Sequence, residues 1–411
     1  MRRQIIRLLS IAFIALMGPS IAQALVPATP IFITNPPAGA FDAFFEVAPT
    51  PSGFVVAWNR SKGATISVLV QQFDLKGKAV PGKLAKVVAG PAVLGEAELL
   101  SLSPTTVAVF WAGGGNVRGS IFNLTTNTVG PAKNLGKTSD HIHDVALLSN
   151  GNIGIVTTQI DLSNPFNVRD KVSLIIASKT LGIVSAAKSV HGTGFKDVGR
   201  SYYDQTIVAK TNGGIVFFRD RANGAIMGRN FTNAGVLSGP LFKVNATSNP
   251  LGTQSDDVYS RIRAVRLGNG VIAVAWVSME SPGAAHYDVR SRMLSVAGAP
   301  VGSDFLVQAK AGAQFSPELV ALPGNRFLVD WKYDNSTPSL VFNIMYRVYS
   351  SLGAPLFAPR VAEQLTIIDS LFGALQIEAA LLADGSVVNV FGTYLSQRLR
   401  ADGLTTANLK P

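Results

Sequence analysis

Every tryptophan in this chain stands at the same place in a repeating pattern. Trp58, Trp111, Trp276 and Trp331 each end a short apolar run: Phe54-Val-Val-Ala-Trp58, Val107-Ala-Val-Phe-Trp111, Ile272-Ala-Val-Ala-Trp276 and Phe327-Leu-Val-Asp-Trp331. Three further runs have the same shape but close on another residue: Ile153 to Thr157, Ile215 to Arg219 and Val387 to Phe391. The steps between them average about 55 residues, a period that means a ring or stack of like units rather than several unrelated domains.

Most of these runs follow a tight-turn pair: Ser52-Gly53, Asn150-Gly151, Asn212-Gly213, Asn269-Gly270, Gly324-Asn325 and Asp384-Gly385. Asn-Gly and Asp-Gly between apolar runs read as hairpin turns whose two central residues both take positive φ. Another apolar segment lies upstream, as in Val145-Ala-Leu-Leu148 or Ala379-Ala-Leu-Leu382. Downstream, an alternating strand ends in a glycine turn, as in Gln71 to Gly77, Arg292 to Gly298, Arg347 to Gly353 and Arg398 to Gly403. A fourth short strand follows, such as Asp304 to Val307 or Leu241 to Val244. Each unit is thus four antiparallel strands, A to D, and no stretch carries a helical period. Seven such units predict an all-β chain folded as a seven-bladed β-propeller of four-stranded antiparallel blades. Two β-sandwiches are the alternative, and the unbroken repeat with no central linker speaks against them. Pro30 to Thr34 reads as a D strand with no A strand before it, and the last unit runs out soon after Gly403. The N-terminal strand is expected to complete the last blade and close the ring, which protects the sheet edges.

The Gly turn, the apolar run to Trp and the tails Gly298-Ala-Pro-Val-Gly302 and Gly353-Ala-Pro355 resemble repeats of secreted bacterial β-propellers. The resemblance covers roughly Pro30 to Leu404. It implies the fold and no activity, since propellers host unrelated functions.

Residues 1–24 read as a cleaved secretory signal peptide: Arg2, Arg3 and Arg7, an apolar run from Leu8 to Met17, then Ala22-Gln23-Ala24. Residues 25–411 are expected to form one domain, exported to the periplasm or secreted, monomeric and without a membrane span. Charged residues are only 15% and hydrophobic residues 47%, which excludes a disordered chain. No cysteine is present, which excludes disulfides, thiolate metal sites and a cysteine nucleophile. Loss of the three leader arginines lowers the formal charge from +11 to +8. No basic run exceeds two or three residues, so genomic nucleic acid is not an expected partner. A carbohydrate, a peptide or an envelope protein is.

In a propeller the A strands line the axis, and the D-to-A and B-to-C connections share one face. The B-to-C segments Asn59–Ile66, Gln159–Val172, Ser278–Asp288 and Lys332–Leu340 vary in length, and length variation on one face of a repeat scaffold marks recognition. Aligned on their turns, the A strands bring Glu46, Asp144, Thr206, Arg263, Glu318 and Glu378 into one layer, with Glu98 one residue out of register. Five acids and one arginine are therefore expected around the axial mouth, where they suit a hard cation, sugar hydroxyls or a cationic ligand. His141 and His143 point the same way on a strand and, with Asp144 or Glu378, are expected to form half of a metal site for a divalent cation such as calcium or zinc; His286 is a more distant candidate. Tyr203, Asp204, Tyr259 and Arg261, with Arg200, Tyr202, Lys332 and Tyr333, are read as an aromatic and charged rim suited to carbohydrate or peptide. The tryptophans are read as packing between blades. No nucleophile elbow, zinc helix motif, phosphate loop or dinucleotide pattern is present. Ligand binding on the variable face is the leading expectation. The alternatives are a metal-dependent hydrolase or lyase at the axial mouth and a structural envelope protein.

Overall fold

The computed structural model describes residues 31–90, 93–137, 142–161, 169–191, 205–220, 224–246, 261–279, 287–309, 312–334, 342–365, 376–393 and 398–404. The signal-peptide expectation, and with it His141, Arg200, Tyr202, Tyr203, Asp204, Tyr259 and His286, lies outside them.

All regular structure among these residues is strand. Six sheets use strands consecutive in the chain. They are β2 (Ala40–Thr50), β3 (Gly53–Lys62), β4 (Thr65–Asp74) and β5 (Ala79–Gly90); β6 (Val93–Ser103), β7 (Thr106–Gly113), β8 (Asn116–Asn123), β9 (Thr128–Val129) and β10 (Lys133–Lys137); and β11 (Ile142–Leu147), β12 (Ile153–Asp161), β13 (Arg169–Ala177) and β14 (Ile183–Ser189). There follow β15 (Gln205–Ala209), β16 (Gly214–Asp220), β17 (Ala225–Phe231) and β18 (Leu237–Lys243); β19 (Ile262–Arg266), β20 (Ile272–Met279), β21 (Tyr287–Leu294) and β22 (Pro300–Leu306); and β23 (Ala313–Leu322), β24 (Arg326–Asp334), β25 (Phe342–Ser350) and β26 (Arg360–Leu365). A seventh sheet joins β27 (Ile377–Leu381), β28 (Val387–Thr393) and β29 (Arg398–Leu404) to β1 (Ile31–Phe32). Ile31 pairs with Ala401 and Phe32 with Arg400, so the N-terminal strand does complete the sheet begun by the C-terminal end. The innermost strands β2, β6, β11, β15, β19, β23 and β27 pack in that order, and β27 returns against β2. The fold is an all-β propeller of four-stranded antiparallel blades.

Burial explains the seven apolar runs. Each second strand is covered on both faces by its neighbours, so it needs no polar alternation. Odd and even residues of one strand feed different clusters: Val55 and Ala57 face the second sheet, while Phe54, Val56 and Trp58 face the last. All four tryptophans lie in such clusters between sheets and are at most 2% exposed. They are core, as expected.

Three of the hairpins between first and second strands depart from the two-residue turn expected of Asn-Gly and Asp-Gly. Gly151 donates to Leu148 O at 2.9 Å and Leu148 N donates to Asn152 O at 2.8 Å; Gly270 with Leu267 and Gly385 with Leu382 repeat this. In these three turns only the glycine of the pair takes positive φ, whereas at Gly324-Asn325 both residues do. This is a tight turn followed by a bulge, in which the Asn or Asp serves as an acceptor. Asn150, Asn269 and Asp384 each take the N–H two residues on, at 3.0, 3.2 and 2.9 Å. The connection expected as a variable loop over Asn59–Ile66 is also a hairpin, since β3 runs to Lys62 and β4 begins at Thr65.

Candidate functional site at the axial mouth

An innermost strand pairs on one side only, so part of its backbone faces the axis without a ladder partner. Here acidic side chains supply that partner. Glu46, Asp144 and Glu318 each accept a hydrogen bond from the N–H of the next residue: Val47 at 3.1 Å, Val145 at 2.7 Å and Leu319 at 3.0 Å. Asp144 Oδ2 reaches the neighbouring strand as well, where it accepts from Thr206 Oγ1 at 2.5 Å and Ile207 N at 2.9 Å.

These groups converge. Glu46, Glu98, Asp144, Thr206, Arg263, Glu318 and Glu378, one from each innermost strand, line a single cavity of about 220 Å³ together with His143. The layer read from the turns is real. The one-residue offset expected of Glu98 is not: Glu98 pairs with Phe110, the residue before Trp111, as Glu46 pairs with Ala57 before Trp58. A register shift between Ser101 and Ser103 absorbs the difference. Further shifts fall just upstream of the layer, between Ala43 and Phe45, Leu94 and Glu98, Ile142 and Asp144, and Phe315 and Glu318. Two of them place a non-glycine residue in the left-handed region, Phe44 at φ 50 and Ser316 at φ 47. Bulges of this kind re-aim the side chains that follow.

Arg263 is the cation of the layer. Its Nε donates to Glu318 Oε2 at 2.6 Å and its Nη2 to Glu378 Oε1 at 2.9 Å. Glu378 Oε1 also accepts from Arg261 Nη1 and, at 3.1 Å, from Gln376 Nε2. Arg261 is only 2% exposed, and Lys332 and Tyr333 are buried too. The exposed rim expected of these three residues is therefore not formed by them. Each sits where strands pack, and burial was not legible from their polarity. Gln376 was missed altogether.

The electrostatics follow from five carboxyl groups around two guanidinium groups. Burial pushes Glu46 well above the usual carboxylate range, and the charges of Glu378 and Glu98 add to the effect against the pull of Arg263. Burial raises Glu318 to about 7, moderated by Arg263. Burial raises Asp144 likewise, against Arg263 and its three hydrogen bonds. Glu378 moves the other way: burial works against its charge, but Arg263, Arg261 and Gln376 outweigh it and hold the group below its ordinary value. Burial would lower Arg263, yet Glu378, Glu318, Asp144 and Glu46 together raise it.

Of the expected metal set, His143 and Asp144 both line the cavity. His143 Nε2 is 2.6 Å from Thr158 Oγ1, and Gln205 Nε2 donates to the same hydroxyl at 2.8 Å. Among the described residues no group of three or more His, Cys, Asp or Glu is arranged to hold a metal ion, and no helix is long and apolar enough to cross a membrane.

No family model matches the chain, and no curated protein matches it. Solved structures do. The hydrazine synthase of Kuenenia stuttgartiensis is similar at 9% identity and TM-score 0.51, over 88% of this chain and 95% of that one. An oligogalacturonate lyase in complex with manganese is similar at 10% identity and TM-score 0.50, over 94% and 98%. The Dos1 propeller matches at 9% identity and TM-score 0.47, over 93% and 96%. At such identities the likeness is one of fold alone; the class, a β-propeller, rests on the ring of four-stranded sheets described above.

Proposed function

We propose that this chain is an exported binding protein, a closed seven-bladed ring whose axial mouth takes a small, donor-rich, positively charged ligand such as an organic ammonium. One observation carries the reading. In a cavity lined by five carboxyl groups, Glu46 and Glu378 each have one oxygen, Oε2, that no donor reaches among the described residues. Arg263 gives its Nε and Nη2 to Glu318 and Glu378, and Thr206 gives its hydroxyl to Asp144. The cavity therefore presents mainly carboxyl oxygens; burial favours the protonated form of Glu46, an ammonium would favour its charged form, and the lining suits a cation over an anion. At about 220 Å³ it falls below the range of about 300–1,000 Å³ usual for drug-sized ligands, which favours a small molecule.

Titration calorimetry with 1,4-diaminobutane, glucose and calcium chloride tests this. Saturable binding of the diamine, weakened about tenfold or more by Glu46→Gln, is expected. Binding of glucose or calcium with no response to the diamine overturns the ammonium reading, and calcium binding would favour the metal-dependent alternative.

A further inference from the structure

The ring has a second seam, on its inner edge. At the outer edge β1 closes the last sheet through two residues. At the inner edge Gln376, just before β27, reaches β2. Its Nε2 donates to Phe45 O at 2.5 Å and its Oε1 accepts from Phe45 N at 3.3 Å. A primary amide that satisfies both the N–H and the C=O of one residue imitates a neighbouring strand. It does so between residues 331 apart in sequence, from the last sheet to the first. Gln376 is only 7% exposed and Phe45 2%, so water cannot readily stand in for either partner. The same Nε2 also donates to Glu378 Oε1 at 3.1 Å, inside the axial cavity.

We propose that Gln376 is a positioning residue that ties the inner seam of the ring to the axial site, so that one amide both closes the last blade on the first and holds Glu378 in place. This inference does not depend on the ligand proposed above. The charged groups around Glu378 are Arg261 and Arg263 from the β19 region, Glu318 from β23 and Glu46 from β2, with Glu98 beyond Glu46. Gln376 is the neutral donor among them. Removing it has two separable effects. Loss of the Phe45 bonds is independent of pH. Loss of the bond to Glu378 penalises the charged carboxylate more than the protonated one. Glu378 is held below its ordinary value, so the stability it contributes is present at neutral pH and lost as pH falls through its folded value.

Thermal unfolding of Gln376→Ala, Gln376→Glu and the outer-seam variant Ile33→Ala, from about pH 3.5 to about pH 8, tests the proposal. Ile33 is buried in the apolar cluster between the last and first sheets. Its variant is expected to lower Tm by a similar amount at every pH. Gln376→Ala is expected to lower Tm about twice as much at neutral pH as at the acid end. Gln376→Glu is expected to lie near wild type at about pH 5, where a protonated carboxyl still donates, and to fall steeply by about pH 8, where it cannot. A flat pH dependence for both Gln376 variants, parallel to Ile33→Ala, overturns the proposal and leaves Gln376 a packing residue. If Gln376→Ala does not fold, Gln376→Glu decides alone.

Discussion

Arg263 and Glu318 stand on neighbouring innermost strands, with Nε 2.6 Å from Oε2. The contact is a hinge of the axial charge balance, because the same guanidinium also holds Glu378 at 2.9 Å. Replacing a buried pair by apolar residues is often harmless, but removing one partner strands the other charge. Arg263→Gln is therefore expected to cost about 3–5 kcal/mol near neutral pH. The loss should shrink in acid, where Glu318, Glu378 and Asp144 can take up protons. Urea unfolding at about pH 5 and about pH 7.5 measures both numbers, and an equal loss at the two values would mean that Arg263 acts through packing.

Glu46 gives the opposite sign. Its folded pKa lies above its ordinary 4.5, so the folded protein keeps a proton that the unfolded chain gives up. Stability must then fall as pH rises above 4.5. Glu318, raised to about 7, adds the same slope between 4.5 and about 7. Glu46→Gln keeps the shape and removes the titration. The variant should match wild type in mild acid, exceed it above neutrality and show a flatter stability profile against pH. Glu318→Gln should flatten the profile too, but from a lower starting point, because it also takes a partner from Arg263.

Much of this arrangement is legible in the chain. The tryptophan period gives the blades, and counting back from each turn gives the axial layer, because strand pairing converts equal spacing into equal depth. What escapes has local causes. The bulges at Phe44 and Ser316 use no glycine, so nothing marks them in the sequence. Glu98 looks displaced because an irregularity between Ser101 and Ser103 moves the turn and not the site. Arg261 and Lys332 read as surface because of their charge, yet an ion pair with Glu378 and a position over the Phe342 ring make their burial tolerable. Gln376 carries no motif at all. Its role depends on a contact with Phe45 that exists only once the ring has closed.

Two glycines supply a paired test. Gly213 takes φ +84, and a Cβ there would lie 1.8 Å from Phe231 O, a backbone atom that cannot move aside without breaking the sheet. Gly239 takes φ +67, with nothing within 4 Å of a Cβ. Alanine at Gly239 meets only the left-handed backbone penalty, about 1–2 kcal/mol. Alanine at Gly213 meets that penalty and the clash, so its loss should be clearly larger, above about 3 kcal/mol, or the variant should fail to accumulate folded. Equal losses in chemical denaturation would show that the hairpin before β16 relaxes freely.

Lys332 offers the last test, far from the turns. The residue is 2% exposed, and its Nζ lies 4.0 Å from the centre of the Phe342 ring. Burial lowers its pKa from 10.5 to about 8, with Asp334 pulling the other way. Near neutral pH the folded protein thus carries a buried ammonium that the unfolded chain would hydrate. Lys332→Met keeps the length of the side chain and removes the charge. It is expected to stabilise the protein by about 1–3 kcal/mol at about pH 7, less whatever the ring contact contributes. Between about 8 and 10.5 the wild-type amine loses its proton in the folded state first, so wild-type stability rises with pH and the advantage of the variant shrinks. Guanidinium unfolding of both proteins across that window checks the direction. An advantage for Lys332→Met that stays constant with pH would show that the gain comes from packing and not from the buried charge.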